Sequence, residues 1–244
     1  MIDSKLRTIA KSATWRLTAS ILLGTIAFAV TGNLAAVTLI TIIYTLLQIV
    51  VYFLHDRFWN YIKWGKTKGL FIQMTGLSGS GKSTLSISVA DKLRQQGYKV
   101  EVIDGDEYRE SLCSDLSFSK EDRNTNIRRL GFVGKVLARN NVIAIMAAIN
   151  PYEKVRKELE NQGDFVRTVY IKCDIDVLKK RDPKGLYKRA LLDKGHPQRI
   201  ENFTGISDPF EEPVSPDIVI NTDKQSLDES TKHLYNFIIN NVEK

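Results

Sequence analysis

The sequence predicts an α/β domain with a central parallel sheet flanked by helices, preceded by an α-helical transmembrane hairpin. Three observations predict it. Two long apolar runs open the chain, a glycine-rich loop follows a short apolar strand, and strand-like runs then alternate with helix-period stripes to the C-terminus.

With 244 residues the chain has room for one large or two small domains. Composition divides it into residues 1–65, a membrane-anchoring hairpin, and residues 69–244, an ordinary mixed domain. Leu17–Thr31 is apolar apart from small Thr, Ser and Gly residues, Gly32-Asn33 signals a turn, and Leu34–Leu54 is interrupted only by Gln48. The second run is about 21 residues, enough for a hydrocarbon core of about 30 Å, and the first, about 16, needs Trp15 and a snorkelling Arg16 to complete it. Lys5, Arg7, Lys11 and Arg16 precede the runs and Arg57, Lys63, Lys66 and Lys68 follow them, with no charge at the turn. That bias puts both ends in the cytosol, at a bacterial inner membrane, with Trp15, Trp59, Tyr61 and Trp64 as interfacial aromatics. A secretory signal would leave the second run unexplained, and a soluble helical pair would need a polar face that this run lacks. Lys63–Gly69 reads as a basic linker.

In the second part Leu70–Met74 is the first strand, and Leu85, Val89 and Leu93 form one stripe of the helix Ser83–Gln96, stopped by Gly97. Tyr98–Ile103 is a strand ending in Asp104-Gly105-Asp106. Ile127, Leu130, Val133 and Leu137 mark another helix, and Val142–Ile149 is a strand covered on both faces. A helix at Pro151–Asn161, strands at Val166–Cys173 and Asp217–Asn221 and a terminal helix complete the alternation. Ligands in such sheets lie beyond the carboxyl ends of the strands, so the loop, the Asp-Gly-Asp turn and Asn150 are expected to share one crevice.

The loop reads Gly76-Leu77-Ser78-Gly79-Ser80-Gly81-Lys82-Ser83-Thr84, a full match to G-x-x-x-x-G-K-S/T. Its glycines let successive N–H groups turn toward phosphate oxygens at a helix N-terminus. Lys82 then reaches the β- and γ-phosphates, and the Ser83 hydroxyl is a magnesium ligand. ATP and magnesium are therefore the expected cofactors. Phosphoryl transfer needs carboxylates beside the metal and beside the attacking hydroxyl, roles that Asp104 and Asp106 fit. Arginines crowd Phe118–Arg129, and their guanidinium forks suit phosphate or sulfate.

Composition excludes other classes. The net charge of +7 gathers beside the apolar runs, without charge blocks or RNA-reading aromatics, which excludes nucleic acid. The 2 cysteines, Cys113 and Cys173, make no disulfide framework or zinc site, and His55, His196 and His233 are scattered.

Five linked segments resemble adenylylsulfate (APS) kinase. They are the loop itself, D-G-D-E-Y-R at Asp104–Arg109, F-S-K-E-D-R-N-T-N-I-R-R at Phe118–Arg129, R-D-P-K-G-L-Y-K-R-A at Arg181–Ala190 and N-F-T-G-I at Asn202–Ile206. The resemblance runs from Gly69 to the C-terminus and implies a P-loop kinase that moves the ATP γ-phosphate to the 3′-hydroxyl of APS, giving PAPS. Carried over by position, it implies Asp106 as base with Lys82 in the catalytic set, and Asp104 with Ser83 around magnesium. Arg109, Arg123 and Asn126 would hold the phosphosulfate beside Ile149, and Phe118 and Phe203 would sandwich the adenine. Arg181 and Lys184 would belong to the lid over ATP and substrate. Residues 1–65 resemble a small bacterial two-helix membrane domain of unknown function.

The chain departs from this pattern where the family has I-S-P-H/Y-R and some descriptions give the serine a phosphoenzyme role. Here Ile149-Asn150-Pro151-Tyr152-Glu153 stands, so direct in-line transfer is expected, and Glu153 puts an acid where an anionic substrate favours a base. Leu192–Arg199 lengthens the lid segment. The expected partners are APS, the lipid bilayer through residues 17–54, a second copy of the chain, and an ATP sulfurylase or sulfotransferase. The rival readings are a kinase of another nucleotide-like alcohol, a membrane-tethered nucleotide-binding switch and a degenerate scaffold. The switch would need N-K-x-D, which Asn221-Thr222-Asp223-Lys224 does not spell, and the scaffold is at odds with intact Lys82, Ser83, Asp104 and Asp106.

Overall fold

The structure is a computed structural model that describes residues 5–61 and 68–243. It divides into two compact units at Trp64/Gly65. Most of the expected linker, Trp64, and the side chains of Lys5, Arg7, Lys11, Trp59 and Tyr61 lie outside the described residues.

The first unit is a helical hairpin, α1 (Lys5–Thr31) and α2 (Leu34–Tyr61). Gly32 turns the chain at φ 61°, and the Asn33 side chain accepts hydrogen bonds from the N–H groups of Ala35 and Ala36 at 3.1 and 3.2 Å, capping α2. The half-buried or buried side chains are Arg16, Ala19, Ser20, Leu23 and Ala27 on α1, with Gly24, and Ala36, Val37, Thr41, Thr45 and Gln48 on α2, mostly small or polar. Ile42, Leu46, Val50 and Leu54 face outward, exposed. Threonine hydroxyls close on the carbonyl four residues back, Thr25 on Ile21 and Thr41 on Val37 at 2.8 Å each, so they make no demand on water. Thr14–Thr31 and Leu34–His55, 18 and 22 residues, are long and apolar enough to cross a membrane. At 1.5 Å per residue they span about 27 and 33 Å.

The second unit is a five-stranded parallel sheet in the order β2-β3-β1-β4-β5. Its strands are β1 (Leu70–Thr75), β2 (Val100–Asp104), β3 (Ile143–Ala147), β4 (Val166–Lys172) and β5 (Ile218–Asn221). The long helices are α3 (Lys82–Gln95), α5 (Lys120–Arg139) and α9 (Leu227–Val242), and the shorter ones α4 (Gly105–Ser111), α6 (Glu153–Glu160), α7 (Ile175–Arg181) and α8 (Leu186–Ala190). The expected alternation is present, with β2 and α6 each beginning two residues later than the sequence pattern implied.

β1 lies at the centre and feeds both faces. Leu70, Ile72 and Met74 pack with Leu85, Val89 and Leu93 of α3 and Leu234 and Ile238 of α9. Phe71 packs on the other face with Ile127 and Leu130 of α5 and Val155 and Leu159 of α6. Each such fully buried side chain contributes about 1.5–3 kcal/mol. This anchoring fixes the point at which the chain leaves β1 and enters the glycine-rich loop.

Candidate active site

At the carboxyl ends of the strands lies a crevice of about 530 Å³. Ser78, Gly79, Gly81, Lys82, Ser83 and Thr84 line it from the loop and α3, Asp104, Asp106 and Arg109 from the end of β2 and α4. Phe118, Arg123, Asn126, Ile149, Lys184 and Tyr187 are among the residues that line the rest of it.

The loop depends on its glycines. Gly76 sits at φ 151°, and a Cβ there would lie 2.4 Å from the carbonyl oxygen of Ile171 in β4. Gly81, at φ 94°, turns the chain into α3. Lys82 is 8% exposed, its Nζ donating to the carbonyls of Gly76 and Leu77 at 2.9 and 2.8 Å. Burial lowers its pKa to about 8, against the opposing pull of Asp106 and Asp104, so it carries its charge at pH 7. Ser80 is buried, and Leu77 packs against the cluster of Cys173, Leu178, Tyr187, Ala190 and Phe203.

Two carboxylates face this loop. Asp104 accepts the Ser83 hydroxyl at 2.6 Å with one oxygen and caps α4 through the Asp106 N–H at 2.9 Å with the other. Asp106 lies 2.5 Å from Lys184 Nζ, which links the α7–α8 turn to the β2 end. The hydrogen bond to Asp106 raises the Lys184 pKa, burial opposing it. Among the described residues no three His, Cys, Asp or Glu side chains gather into a metal site. The Ser83–Asp104 pair still fits magnesium, a hard cation that keeps waters and takes phosphate oxygens as ligands.

On the opposite wall the Arg109 guanidinium stacks 4.1 Å over the ring of Phe118, itself 61% exposed. Asn126 is buried with its Oδ1 lacking a partner, an acceptor held at the crevice wall. Phe203, expected across an adenine from Phe118, does not line the crevice. It is buried edge-on against Tyr187, centroids 5.0 Å apart at 82°, with Cys173, Leu178 and Ala190. Arg181 also lies off the crevice, donating to the Thr222 carbonyl at 2.9 Å.

Asn150 does not share the crevice, a correction to the sequence reading. Its backbone is left-handed, φ 45°, and its buried amide donates inward to Gln73 Oε1 at 3.0 Å. Glu153 does not line the crevice either. Its carboxylate is 2.7 Å from the fully buried guanidinium of Arg156, which also donates to the Asn150 carbonyl at 2.7 Å and that of Glu211 at 2.6 Å. The acid at 153 is thus a counterion to a buried arginine.

Sequence reasoning gave no role to Thr222 and placed Tyr187 only within the D-P-K-G-L-Y-K segment expected to form a lid. The Thr222 hydroxyl donates to the Ser80 carbonyl at 2.8 Å, and the Tyr187 hydroxyl to that of Ser78 at 3.0 Å. Thr222 follows β5 at the carboxyl edge of the sheet, which was its one available signal.

Residues 68–221 match the family model described as adenylylsulphate kinase, and residues 9–60 one described as a predicted membrane protein (DUF2061). Over 170 residues the chain is 46% identical to the adenylyl-sulfate kinase of Gloeothece citriformis, covering 69% of this chain and 93% of that one. It is 49% identical over 162 residues to a bifunctional SAT/APS kinase of Sorangium cellulosum, spanning 66% of this chain but only 27% of that protein. Among solved structures it is similar to the Mycobacterium tuberculosis APS kinase in complex with AMPPNP and APS. The TM-score is 0.65 at 34% identity, covering 70% of this chain and 98% of that one.

Proposed function

The chain belongs to the adenylylsulfate kinase family, and from that premise we propose that it phosphorylates the 3′-hydroxyl of APS with ATP, giving PAPS, as a membrane-anchored enzyme. The observation that carries this reading is the crevice itself. It sets Lys82 and Ser83 against Asp104 and Asp106, with Arg109, Phe118 and Asn126 on the far wall.

In the reaction the 3′-oxygen bonds to the γ-phosphorus as the bond to the ADP oxygen breaks, and the hydroxyl proton passes to Asp106. Lys82, charged at neutral pH, takes phosphate oxygens in place of the loop carbonyls. Ser83 and Asp104 hold magnesium, which when bound neutralises phosphate charge. Lys184 brings a positive charge from the lid to Asp106, and Arg181 braces the lid against Thr222. Arg109, Arg123 and Asn126 receive the phosphosulfate beside Ile149, and Phe118 stacks on the adenine. A stacking role for Phe203 requires it to leave its packing on Tyr187. Transfer is direct and in line, since the buried Asn150 offers no hydroxyl.

Residues 1–65 act as the anchor and residues 69–244 as the cytoplasmic kinase domain. The outward-facing apolar side chains of the hairpin and the match of residues 9–60 support the bilayer as its solvent. The joined SAT and APS kinase of the Sorangium relative supports an ATP sulfurylase partner.

The test gives the purified chain ATP, magnesium and APS and measures PAPS. Lys82→Ala should lose about a thousandfold in turnover. No PAPS above that variant's background would overturn the reading.

A further inference from the structure

Arg123 uses most of its guanidinium on the protein. Nε donates to the Phe118 carbonyl at 2.9 Å, Nη1 to the Thr204 hydroxyl and Nη2 to the Asn202 carbonyl. Nη1 also lies 3.6 Å from Asp208 Oδ2. A guanidinium has five N–H donors and three are hydrogen-bonded here, so one Nη1 hydrogen is left beside the Asp208 carboxylate and one Nη2 hydrogen for the crevice that Arg123 lines. The aim of that remaining donor depends on what fixes the other edge.

Asp208 is built to fix it. Its backbone is closed into the loop that carries Thr204: its N–H donates to the Phe203 carbonyl at 3.1 Å, and its carbonyl accepts from Gly205 at 2.8 Å. The same Oδ2 that faces Arg123 accepts the Tyr152 hydroxyl at 2.8 Å. Tyr152 is buried, three residues after the crevice residue Ile149. Burial, then the hydrogen bond to Asp208, pushes its pKa up to about 12, so it remains a donor throughout the working range of pH. Beyond Asp208, Glu211 holds the same segment to the β3–α6 connection, its N–H donating to the Pro151 carbonyl at 2.9 Å and its carboxylate accepting the Glu153 N–H at 2.7 Å.

We propose that Asp208, held by Tyr152, is a positioning residue for the acceptor anion: it clamps the Nη1 edge of Arg123 and so sets the donor left to the crevice. The proposal rests on the reading of the crevice as an APS site. Two effects of removing Asp208 have opposite signs. Loss of a negative charge near the site would tighten an anion, and loss of the clamp would loosen it. Positioning requires that loosening wins.

The experiment compares the full chain with Asp208→Asn, Tyr152→Phe and the double variant, measuring PAPS formation and calorimetric binding of APS. Asp208→Asn should raise the KM and Kd for APS about tenfold, the equivalent of about 1.4 kcal/mol, with kcat and the KM for ATP held. Tyr152→Phe should act in the same direction, and the double variant should show less than the sum, because both remove one clamp. An unchanged or lower KM for APS, an equal rise in the KM for ATP, or additive effects would overturn the proposal alone. A wild-type chain that neither binds nor phosphorylates APS would overturn the functional reading and this proposal with it.

Discussion

The hairpin and the kinase domain sort the same side-chain types in opposite directions. In the domain Ile72, Met74 and Leu130 are inside, and the buried Gln73 is paired through its side chain, donating to Thr168 at 2.8 Å and accepting from Asn150. In the hairpin Ile42, Leu46 and Val50 are outside, and Ser20, Thr41, Thr45 and Gln48 are half-buried. The difference is the one expected if the hairpin, as proposed above, meets lipid while the domain meets water. Water rewards apolar burial, and a hydrocarbon medium leaves small residues and internally bonded hydroxyls to pack helices.

The largest break in the soluble half of this comparison is at Glu153. Arg156 has no exposed surface, and among the described residues the carboxylate paired with it is that of Glu153. Replacing that partner leaves a buried charge uncompensated, at a cost of about 3–5 kcal/mol. Glu153→Arg, which places a base where the family has one, should therefore lower the Tm by about 10 °C in a thermal melt. It should not improve the KM for APS, because position 153 does not line the crevice. An unchanged Tm would show that the Glu153–Arg156 pair is not what holds the buried guanidinium.

A charge on the outer face of α2 sharpens the other half. Leu46 is 61% exposed near the middle of Leu34–His55. On a water-exposed helix Leu46→Arg would change stability by no more than about 0.5 kcal/mol. At the centre of a spanning helix it costs about 3 kcal/mol. Leu46→Arg should thus lower the share of full chain recovered in carbonate-washed membranes, with PAPS turnover per folded molecule retained. A membrane share equal to wild type would sink the claim that this face meets lipid.

Much of this was legible in the chain, for physical reasons that differ by element. The hairpin announces itself by apolar length, and β1, α3 and β3 by apolar run or period, because each of these three buries a face along its whole extent. The loop was legible to the residue, since only glycines fit at Gly76 and Gly81. The short helices α4, α7 and α8 were not, being set by caps such as Asp104 and Asp174 and not by periodicity. Side-chain direction was illegible too. Motif spacing put Asn150 and Phe203 near the crevice, but a left-handed φ at the one and packing on Tyr187 at the other turn them elsewhere. Asp208 and Tyr152 carry no local signal, because their contact joins residues 56 positions apart.

The smallest expected effect is also the most specific, Asn150→Ser. Asparagine tolerates the left-handed backbone at φ 45° better than serine does, and its amide holds Gln73 at 3.0 Å. The substitution should cost about 1 kcal/mol of stability, the worth of one buried hydrogen bond. The new hydroxyl would lie on the side of the amide it replaces, toward Gln73 and off the crevice. Intact-mass spectrometry after incubation with ATP and magnesium should therefore show no phosphorylated species, with PAPS turnover changed by no more than about fivefold, the equivalent of about 1 kcal/mol. A phosphorylated Asn150→Ser chain would mean that position 150 opens to the γ-phosphate during the cycle. Direct transfer in the wild type would then follow only from the missing hydroxyl, and no longer from the direction the side chain takes.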